Sequence, residues 1–314
     1  MRVTGNSFSN TLVDQLQLLD ARQYRLQNQA STGQRIQAPE DDPSGMAQAL
    51  NLQTETTNVN QYSQNIASLQ DRSTSAYNVI QQIKTISDRV GEIVTQANDG
   101  TKSASDLQSY GTEVTQLIQQ AAQLMNTKQG DQYLFGGTAS GKTPFNVTTD
   151  ANGNVTAVTY QGNTSVAENQ IAENTTIAVD APGENNSGTG ARGLISDSRY
   201  GADFFNHLIS LQNDLQTGNA TAVASKDQPA LTNDENNIIY QAATNGAVQS
   251  RLDAEASLAT ARKTSLQQSI SNVAGADMTQ TLVQLSQTQN AYQAALQTSS
   301  SILQLQQSLL AYLP

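Results

Sequence analysis

The chain has 314 residues, a formal net charge of -11 and only 14% charged residues. This balance excludes nucleic acid as a main partner, because phosphate binding requires clustered Lys and Arg. Disulfides and thiolate metal sites are excluded by the absence of cysteine. A hydrophobic share of 37% with only 5% aromatic residues predicts a folded chain dominated by long helices.

The first predicted helix spans about residues 7–31 and has an apolar stripe at heptad spacing. The stripe consists of Leu12, Leu16, Leu19, Leu26 and Ala30, with Gln23 as its polar interruption. Gly33 is the predicted C-terminal stop of this helix. After a short linker, Asp42 is predicted to cap the second helix, with Pro43 at its first position.

The second predicted helix continues to about residue 98 and would be on the order of 80 Å long. Its stripe follows the same steps: Val59, Tyr62, Ile66, Leu69, Ser73, Ala76, Ile80, Ile83, Ser87, Val90, Val94 and Ala97. A third helix over about residues 104–128 follows the turn at residues 98–100. The spacing predicts an antiparallel helical hairpin.

The middle of the chain changes to short β-prone runs separated by turn residues. Strands are predicted over residues 133–135, 145–149, 155–160 and 175–179. The loop at residues 182–193 is rich in Gly and Asn and is predicted to lie outside the core. Helices are then predicted over residues 202–215 and 232–271.

The last predicted helix, residues 278–314, contains no charged side chain. Its stripe in alternating steps of four and three is Met278, Leu282, Leu285, Gln289, Tyr292, Leu296, Ser299, Leu303, Gln306, Leu310 and Leu313. The remaining positions are mostly Gln, Ser, Thr and Ala, so many copies could crowd together without repulsion between like charges. This pattern favours a subunit of a dense assembly.

Two glycine-rich motifs suggest nucleotide chemistry. Residues 136–143, GGTASGKT, satisfy the phosphate-loop expression, but strand-forming residues follow where that mechanism requires a helix N-terminus. Residues 188–193 satisfy the dinucleotide expression without a surrounding βαβ unit. A flexible loop is the preferred interpretation of both, and an ATP-binding switch is kept as an alternative for the first.

No catalytic residue, metal site or cofactor is predicted. His207 is the single histidine, so a multi-histidine metal site is impossible, and a bundle-edge position is expected for it. The acidic residues 40–42 lack the spacing of a calcium loop, and capping explains Asp42. A helix lying on a membrane is disfavoured because the last helix has no Lys or Arg.

Several sequence blocks together resemble the flagellin superfamily. They are residues 30–36 (ASTGQRI), 41–45 (DDPSG), 87–101 (SDRVGEIVTQANDGT), 133–137 (YLFGG), 276–278 (ADM), Gln289 and 294–296 (AAL). The resemblance covers most of both terminal thirds and little of residues 145–200. Residues 133–137 are typical of the branch that joins the flagellar hook to the filament.

This resemblance implies a non-enzymatic structural subunit exported by the flagellar type III apparatus, without a cleaved signal peptide, to the extracellular flagellum. It further implies a ring of identical copies between a hook-associated protein on one side and flagellin on the other. An export chaperone would cover the C-terminal segment. The assembly interface would consist of Leu12, Leu16, Leu19, Leu26, Leu282, Leu285, Tyr292, Leu296, Leu303, Leu310 and Leu313.

The predicted fold is mainly α: an elongated helical bundle or coiled coil formed by the N- and C-terminal segments, with a small β-rich inserted domain. The predicted domains are residues 1–42 with 272–314, residues 43–135 with 201–271, and residues 136–200. A filament flagellin remains the alternative function. A cytoplasmic coiled-coil hairpin is a further alternative, which the β-rich insert argues against.

Overall fold

The computed structural model describes the backbone of residues 5–311 and the side chains of residues 11–302 and 304. The protein is mostly helical, as predicted. Its helices are α1 (Gly5–Thr32), α2 (Pro43–Ala97), α3 (Ala104–Met125), α4 (Phe204–Gln216), α5 (Ala220–Ala222), α6 (Gln228–Ala274) and α7 (Met278–Ala311). A five-residue π-helical turn, Val223–Asp227, leads into α6.

The strands are short and lie between α3 and α4. They are β1 (Lys128–Gln129), β2 (Gln132–Tyr133), β3 (Phe145–Thr149), β4 (Val155–Tyr160), β5 (Asn169–Ala172), β6 (Thr175–Ile177), β7 (Glu184–Asn185), β8 (Ser196–Asp197) and β9 (Ala202–Asp203). Successive strands form hairpins β1–β2, β3–β4 and β5–β6, and a three-stranded sheet has the order β7–β8–β9. The predicted bounds of β3 and β4 are confirmed, the strands predicted at 133–135 and 175–179 end at Tyr133 and Ile177, and β1, β5 and the three-stranded sheet were not predicted.

Two compact units divide the described chain. The first comprises residues 1–58 and 261–314, and the second comprises residues 59–260. Helices α2 and α6 each contribute residues to both units. The finer division into three domains stays a prediction.

The unit of residues 59–260 is built around the predicted stripe of α2. Ile83 and Val90 of that stripe are almost fully buried, at 0% and 1% exposure, because heptad spacing keeps them on one face. Helix α3 begins with a capping box in which Ser103 and Asp106 satisfy each other's backbone N–H groups. Arg89 of α2 donates to Glu113 of α3, which fits the predicted hairpin.

The β-rich residues of this unit share its helical core. Phe145, Val155 and Ile195 lie in the same buried cluster as α2, α3 and α4. The prediction that the loop at residues 182–193 avoids the core is wrong at both ends. Its Asn185 is fully buried, and a Cβ atom on Gly193 would lie 2.1 Å from the Ser196 carbonyl oxygen. Amide hydrogen bonds make a polar loop compatible with burial here.

The unit of residues 1–58 and 261–314 has a much smaller core. Its buried cluster consists of Ile36, Ala49 and Ala274, with Met46 and Val273 packed against it. Helices α1 and α7 lie beside each other in this unit. This helix pair carries the candidate functional residues.

Candidate assembly interface

The two ends of the sequence meet at a short segment that we call the elbow, residues 33–45 with 273–277. The Arg35 N–H donates to the Ala274 carbonyl at 2.7 Å, and the Ala276 N–H donates to the Gly33 carbonyl at 2.8 Å. An antiparallel bridge also joins Gln34 to Gly275. The end of α1 therefore lies beside the beginning of α7, so the two helices run antiparallel.

Side chains of the elbow explain its charged motif. The Arg35 guanidinium donates to the Val273 carbonyl at 2.9 Å and to Asp42 Oδ2 at 3.3 Å. Asp42 Oδ1 accepts from the Gly45 N–H at 2.9 Å, which confirms the predicted cap of α2. This hydrogen bond, followed by those from Ser44 and Arg35, lowers the pKa of the Asp42 carboxyl.

Gly45 is required by packing at the elbow. A Cβ atom at this position would lie 2.6 Å from both Asp42 Oδ2 and Ile36 Cδ1. On the other strand of the elbow, Asp277 Oδ1 accepts from the Gln280 N–H at 3.0 Å and so caps α7. The motifs at residues 33–45 and 273–277 thus lie together in the elbow, and α2 and α7 both begin there.

The predicted stripe of α1 is the covered face of that helix. Leu12, Leu16 and Leu19 are half-buried, and Leu26 is buried. Gln23 is half-buried at the predicted polar position of the stripe. Because α7 lies beside α1, these side chains form the α1 side of the contact.

The covered face of α7 is shifted from the predicted one. The covered positions are Thr281, Gln284, Leu285, Thr288, Tyr292, Ala295, Ser299 and Ile302. Leu285, Tyr292 and Ser299 match the predicted stripe, but Leu282 and Leu296 are 53% and 45% exposed, and Met278 and Gln289 are exposed as well. These two leucines of the predicted stripe therefore do not lie on the covered face of α7. Small side chains at residues 281, 288 and 295 permit a close approach of the helices, and their seven-residue spacing was the signal that was missed.

Apolar side chains outside the contact between α1 and α7 form an exposed surface on this helix pair. Met278, Leu282, Val283 and Leu296 of α7 are exposed, as are Val13, Leu18 and Tyr24 of α1. The side chains of Leu303 and Leu310, and the whole of Leu313, lie outside the described residues. The assignment of the eleven predicted residues to an interface between subunits stays a prediction.

The phosphate-loop motif has no helix to hold a phosphate. Strand β3 begins at Phe145, directly after the motif. The Thr138 N–H donates to the Asn163 side chain, and Tyr133 Oη lies 3.0 Å from Thr143 Oγ1. Gly137 has φ +64°, and a Cβ atom there would lie 2.3 Å from the Asn163 carbonyl oxygen. Close packing against residue 163 therefore explains this glycine.

His207 belongs to a hydrogen-bonded pair. Its Nδ1 lies 2.7 Å from Asp234 Oδ2, and this contact raises the pKa of the imidazole. Burial raises the pKa of Asp234, which also accepts from the Asp203 N–H at 2.7 Å. Within the described part of the chain, no three His, Asp or Glu side chains are arranged to hold a metal ion.

Among the described residues, no helix combines the length and the apolar composition that crossing a bilayer requires.

Comparison with known proteins identifies the family. The N-terminal helical region of bacterial flagellins matches residues 3–140, and their C-terminal helical region matches residues 230–313. These matches cover well over half of the chain. The chain belongs to the bacterial flagellin family, as its motifs predicted.

Within this family, the chain is similar to flagellar hook-associated protein 3. The protein of that name from Escherichia coli strain K12 is 25% identical over 280 residues, covering 85% of this chain and 86% of the relative. The one from Salmonella typhimurium strain LT2 is 25% identical over 291 residues, covering 88% and 89%. The chain thus has a structural, non-enzymatic role in the flagellum.

A solved structure shares the fold. FlgL of Bacillus cereus superposes with a TM-score of 0.56 at 19% identity, covering 70% of this chain and 99% of that one. At this identity the likeness concerns the fold alone. It supports the predicted arrangement of long helices with a small β-rich region.

Proposed function

We propose that this protein is the subunit that joins the flagellar hook to the filament, and that identical copies assemble into a ring through α1 and α7. The observation that carries the proposal is the outward position of Leu282 and Leu296 on a helix without charged side chains. An isolated monomer gains nothing from such a surface, whereas a ring buries it.

The proposed neighbours follow from the family. A hook-associated protein would contact the ring on the hook side, and flagellin would contact it on the filament side. Because long neutral helices of the same family can pack side by side, α1 and α7 are the elements expected to meet both neighbours.

The proposed export route implies one more partner, which covers α7 before export. The subunit is proposed to leave the cell through the flagellar type III apparatus and to reach the extracellular flagellum. Before export, the exposed apolar side chains of α7 would promote aggregation. An export chaperone is therefore proposed to cover residues 278–314.

Localisation on sheared flagella tests the proposal against its main alternative. Antibody labelling of the native protein should mark a single position at the hook tip. Labelling along the whole filament would instead identify a filament flagellin.

Substitution of Leu282 and Leu296 tests whether these residues form the contact between subunits. We expect the double variant Leu282→Gln and Leu296→Gln to fold normally and to fail in ring assembly, because it places polar amides on the proposed subunit contact. Leu258→Gln is the matched control, since Leu258 is 65% exposed on α6 outside the α1–α7 pair. Full motility of the double variant would overturn the assignment.

A further inference from the structure

A cavity of about 500 Å³ lies beside the β-rich core of the 59–260 unit and takes no part in the proposed assembly contact. We call it the acidic aromatic cavity and define it by Phe145, Tyr160, Glu184, Asp203 and Phe205, all of which line it. Its volume is in the range of small-molecule sites.

The three-stranded sheet brings two carboxylates to one wall of the cavity. Glu184 of β7 pairs with Ser196 of β8, and Ser196 pairs with Asp203 of β9. Directly paired residues project from the same face of a sheet. Glu184 and Asp203 therefore flank Ser196 on one face, about 10 Å apart at their Cα atoms from the usual strand spacing.

Each carboxylate is oriented by a neighbouring amide. Asn186 donates to Glu184 Oε1, and Asn206 donates to Asp203 Oδ2 at 2.8 Å. Among the described residues, the second oxygen of each carboxylate accepts no hydrogen bond, and neither carboxylate forms an ion pair. The two free oxygens are thus available to a ligand.

The residues that line the cavity carry negative charge, and His207, which does not line it, interacts electrostatically with Asp203. The lining residues include no Lys, Arg or His. Burial, and then the charge of Asp203, raises the pKa of Glu184. A positively charged occupant would relieve the repulsion between the two carboxylates, because an opposite charge favours the ionised form.

Aromatic rings form a further part of the cavity wall. The Phe145 centroid lies 5.1 Å from that of Tyr160 and 5.3 Å from that of Phe205. Ring faces attract ammonium and guanidinium groups as well as methylene chains. A metal ion is a poorer match, because calcium takes six to eight oxygen ligands, and the cavity supplies two carboxylates.

We propose that the acidic aromatic cavity binds the ammonium or guanidinium group of an organic cation, with Glu184 and Asp203 as its charge partners. The cation can belong to a Lys or Arg side chain of another protein or to a free small molecule, since both present the same group. The aromatic wall would hold the methylene chain that carries this group.

Titrations followed by amide NMR shifts test the proposal on the full chain. Butylammonium and butylguanidinium chlorides should give saturable shifts at Gly162 and Ser196, whereas 1-pentanol at equal ionic strength should not. We expect the double variant Glu184→Gln and Asp203→Asn to lower the affinity at least tenfold. The control, Glu168→Gln with Glu173→Gln, removes two exposed carboxylates and should leave the affinity unchanged.

Further titrations separate the sources of the cation. Tighter binding of acetyl-Gly-Arg-Gly-amide than of butylguanidinium would indicate a protein side chain, and equal binding would indicate a free small cation. The proposal is overturned if the neutral alcohol binds equally well, if the variant pair retains full affinity, or if calcium chloride gives the stronger saturable shifts. Binding should persist in the Leu282→Gln and Leu296→Gln variant, which makes failure of this site distinguishable from failure of the assembly proposal.

Discussion

The two compact units bury their side chains in different ways. In the 59–260 unit, aromatic and aliphatic residues such as Phe204, Leu208 and Ile118 are completely buried. In the α1–α7 pair, the most buried positions of α7 are Thr281 and Thr288, while Leu282 and Leu296 are exposed.

The two units therefore use large hydrophobic side chains differently. The 59–260 unit places its large side chains inside, where each contributes about 1.5–3 kcal/mol on burial. On helix α7 the two most buried side chains are threonines, Leu285 and Tyr292 are only half-buried, and Met278, Leu282, Val283 and Leu296 are exposed. We infer that the first unit is stable by itself and that the second gains its stability from neighbouring chains.

Removal of residues 278–314 is expected to have the largest effect. It deletes α7 and with it the exposed Met278, Leu282, Val283 and Leu296, while all of residues 59–260 remain. We expect loss of assembly, a more soluble monomer and an unchanged melting transition of the 59–260 unit, measured by light scattering and calorimetry. A truncated protein that still completed the flagellum would contradict the role given to α7.

A matched pair of substitutions compares the two kinds of position. Phe204→Ala removes a fully buried ring and should lower the free energy of unfolding by about 3–5 kcal/mol. Leu296→Ala should change it by no more than about 0.5 kcal/mol, because this side chain is already exposed. Urea unfolding of both variants measures the contrast, and equal losses would refute it.

The buried amide of Gln212 links three elements of the larger unit. Its Oε1 accepts from Thr115 Oγ1 at 2.9 Å, and its Nε2 donates to the Val155 carbonyl at 3.1 Å. Gln212→Ala removes these hydrogen bonds from a buried site, although Thr115 Oγ1 keeps its bond to the Gly111 carbonyl, and should cost about 1–3 kcal/mol in urea unfolding. Gln119→Ala, at an exposed position of α3, is the control that should cost little.

The His207–Asp234 pair predicts a pH dependence of stability. The hydrogen bond to Asp234 raises the pKa of His207 above its ordinary 6.5, so its contribution is complete below pH 6.5 and is lost as pH rises through the folded pKa. Burial raises the pKa of Asp234 above 3.8, which makes stability fall with rising pH in the same direction.

Each unit of difference in the His207 pKa corresponds to about 1.4 kcal/mol. Urea unfolding at pH 5.5 and pH 8.5 should therefore show lower stability at the higher pH. His207→Gln should reduce this difference, and an unchanged pH dependence in that variant would assign it to other groups.

The smallest effect is expected at the surface of α2. Lys84 Nζ donates to Asp88 Oδ1 at 2.7 Å, four residues further along the helix, and both side chains are partly exposed. Lys84→Gln should change the free energy of unfolding by at most about 0.5 kcal/mol, because water and salt screen such pairs. A larger loss at moderate salt would show that the contact is more than a solvated pair.

Periodicity predicted the helices and most of their buried faces. The stripes of α1 and α2 were correct because heptad spacing fixes one face of a helix regardless of its partner. For α7 the same reasoning chose the leucines, but the covered face has threonines at residues 281 and 288. Apolarity alone does not distinguish a contact within the subunit from a surface left for other subunits.

The β-rich region was predicted only where strands pair locally. Strands β3 and β4 form a hairpin, and their alternating residues gave the correct bounds. The β7–β8–β9 sheet has strands of two residues, too short for any pattern. Its parallel pair depends on the buried Asn185 and on distant Asn237, which donates to the Gly193 and Leu194 carbonyls. Such long-range hydrogen bonds leave no local signal.

The elbow has a consequence for the order of folding. Arg35 and Val273 are 238 positions apart, so joining them in an unfolded chain costs about 5 kcal/mol of loop-closure entropy. Once residues 59–260 have folded, α2 and α6 are already adjacent at Gln70 and Asp253, which share a hydrogen bond of 2.7 Å. The effective loop is then only a few tens of residues, and its closure is correspondingly cheaper. We therefore expect the chain ends to close last.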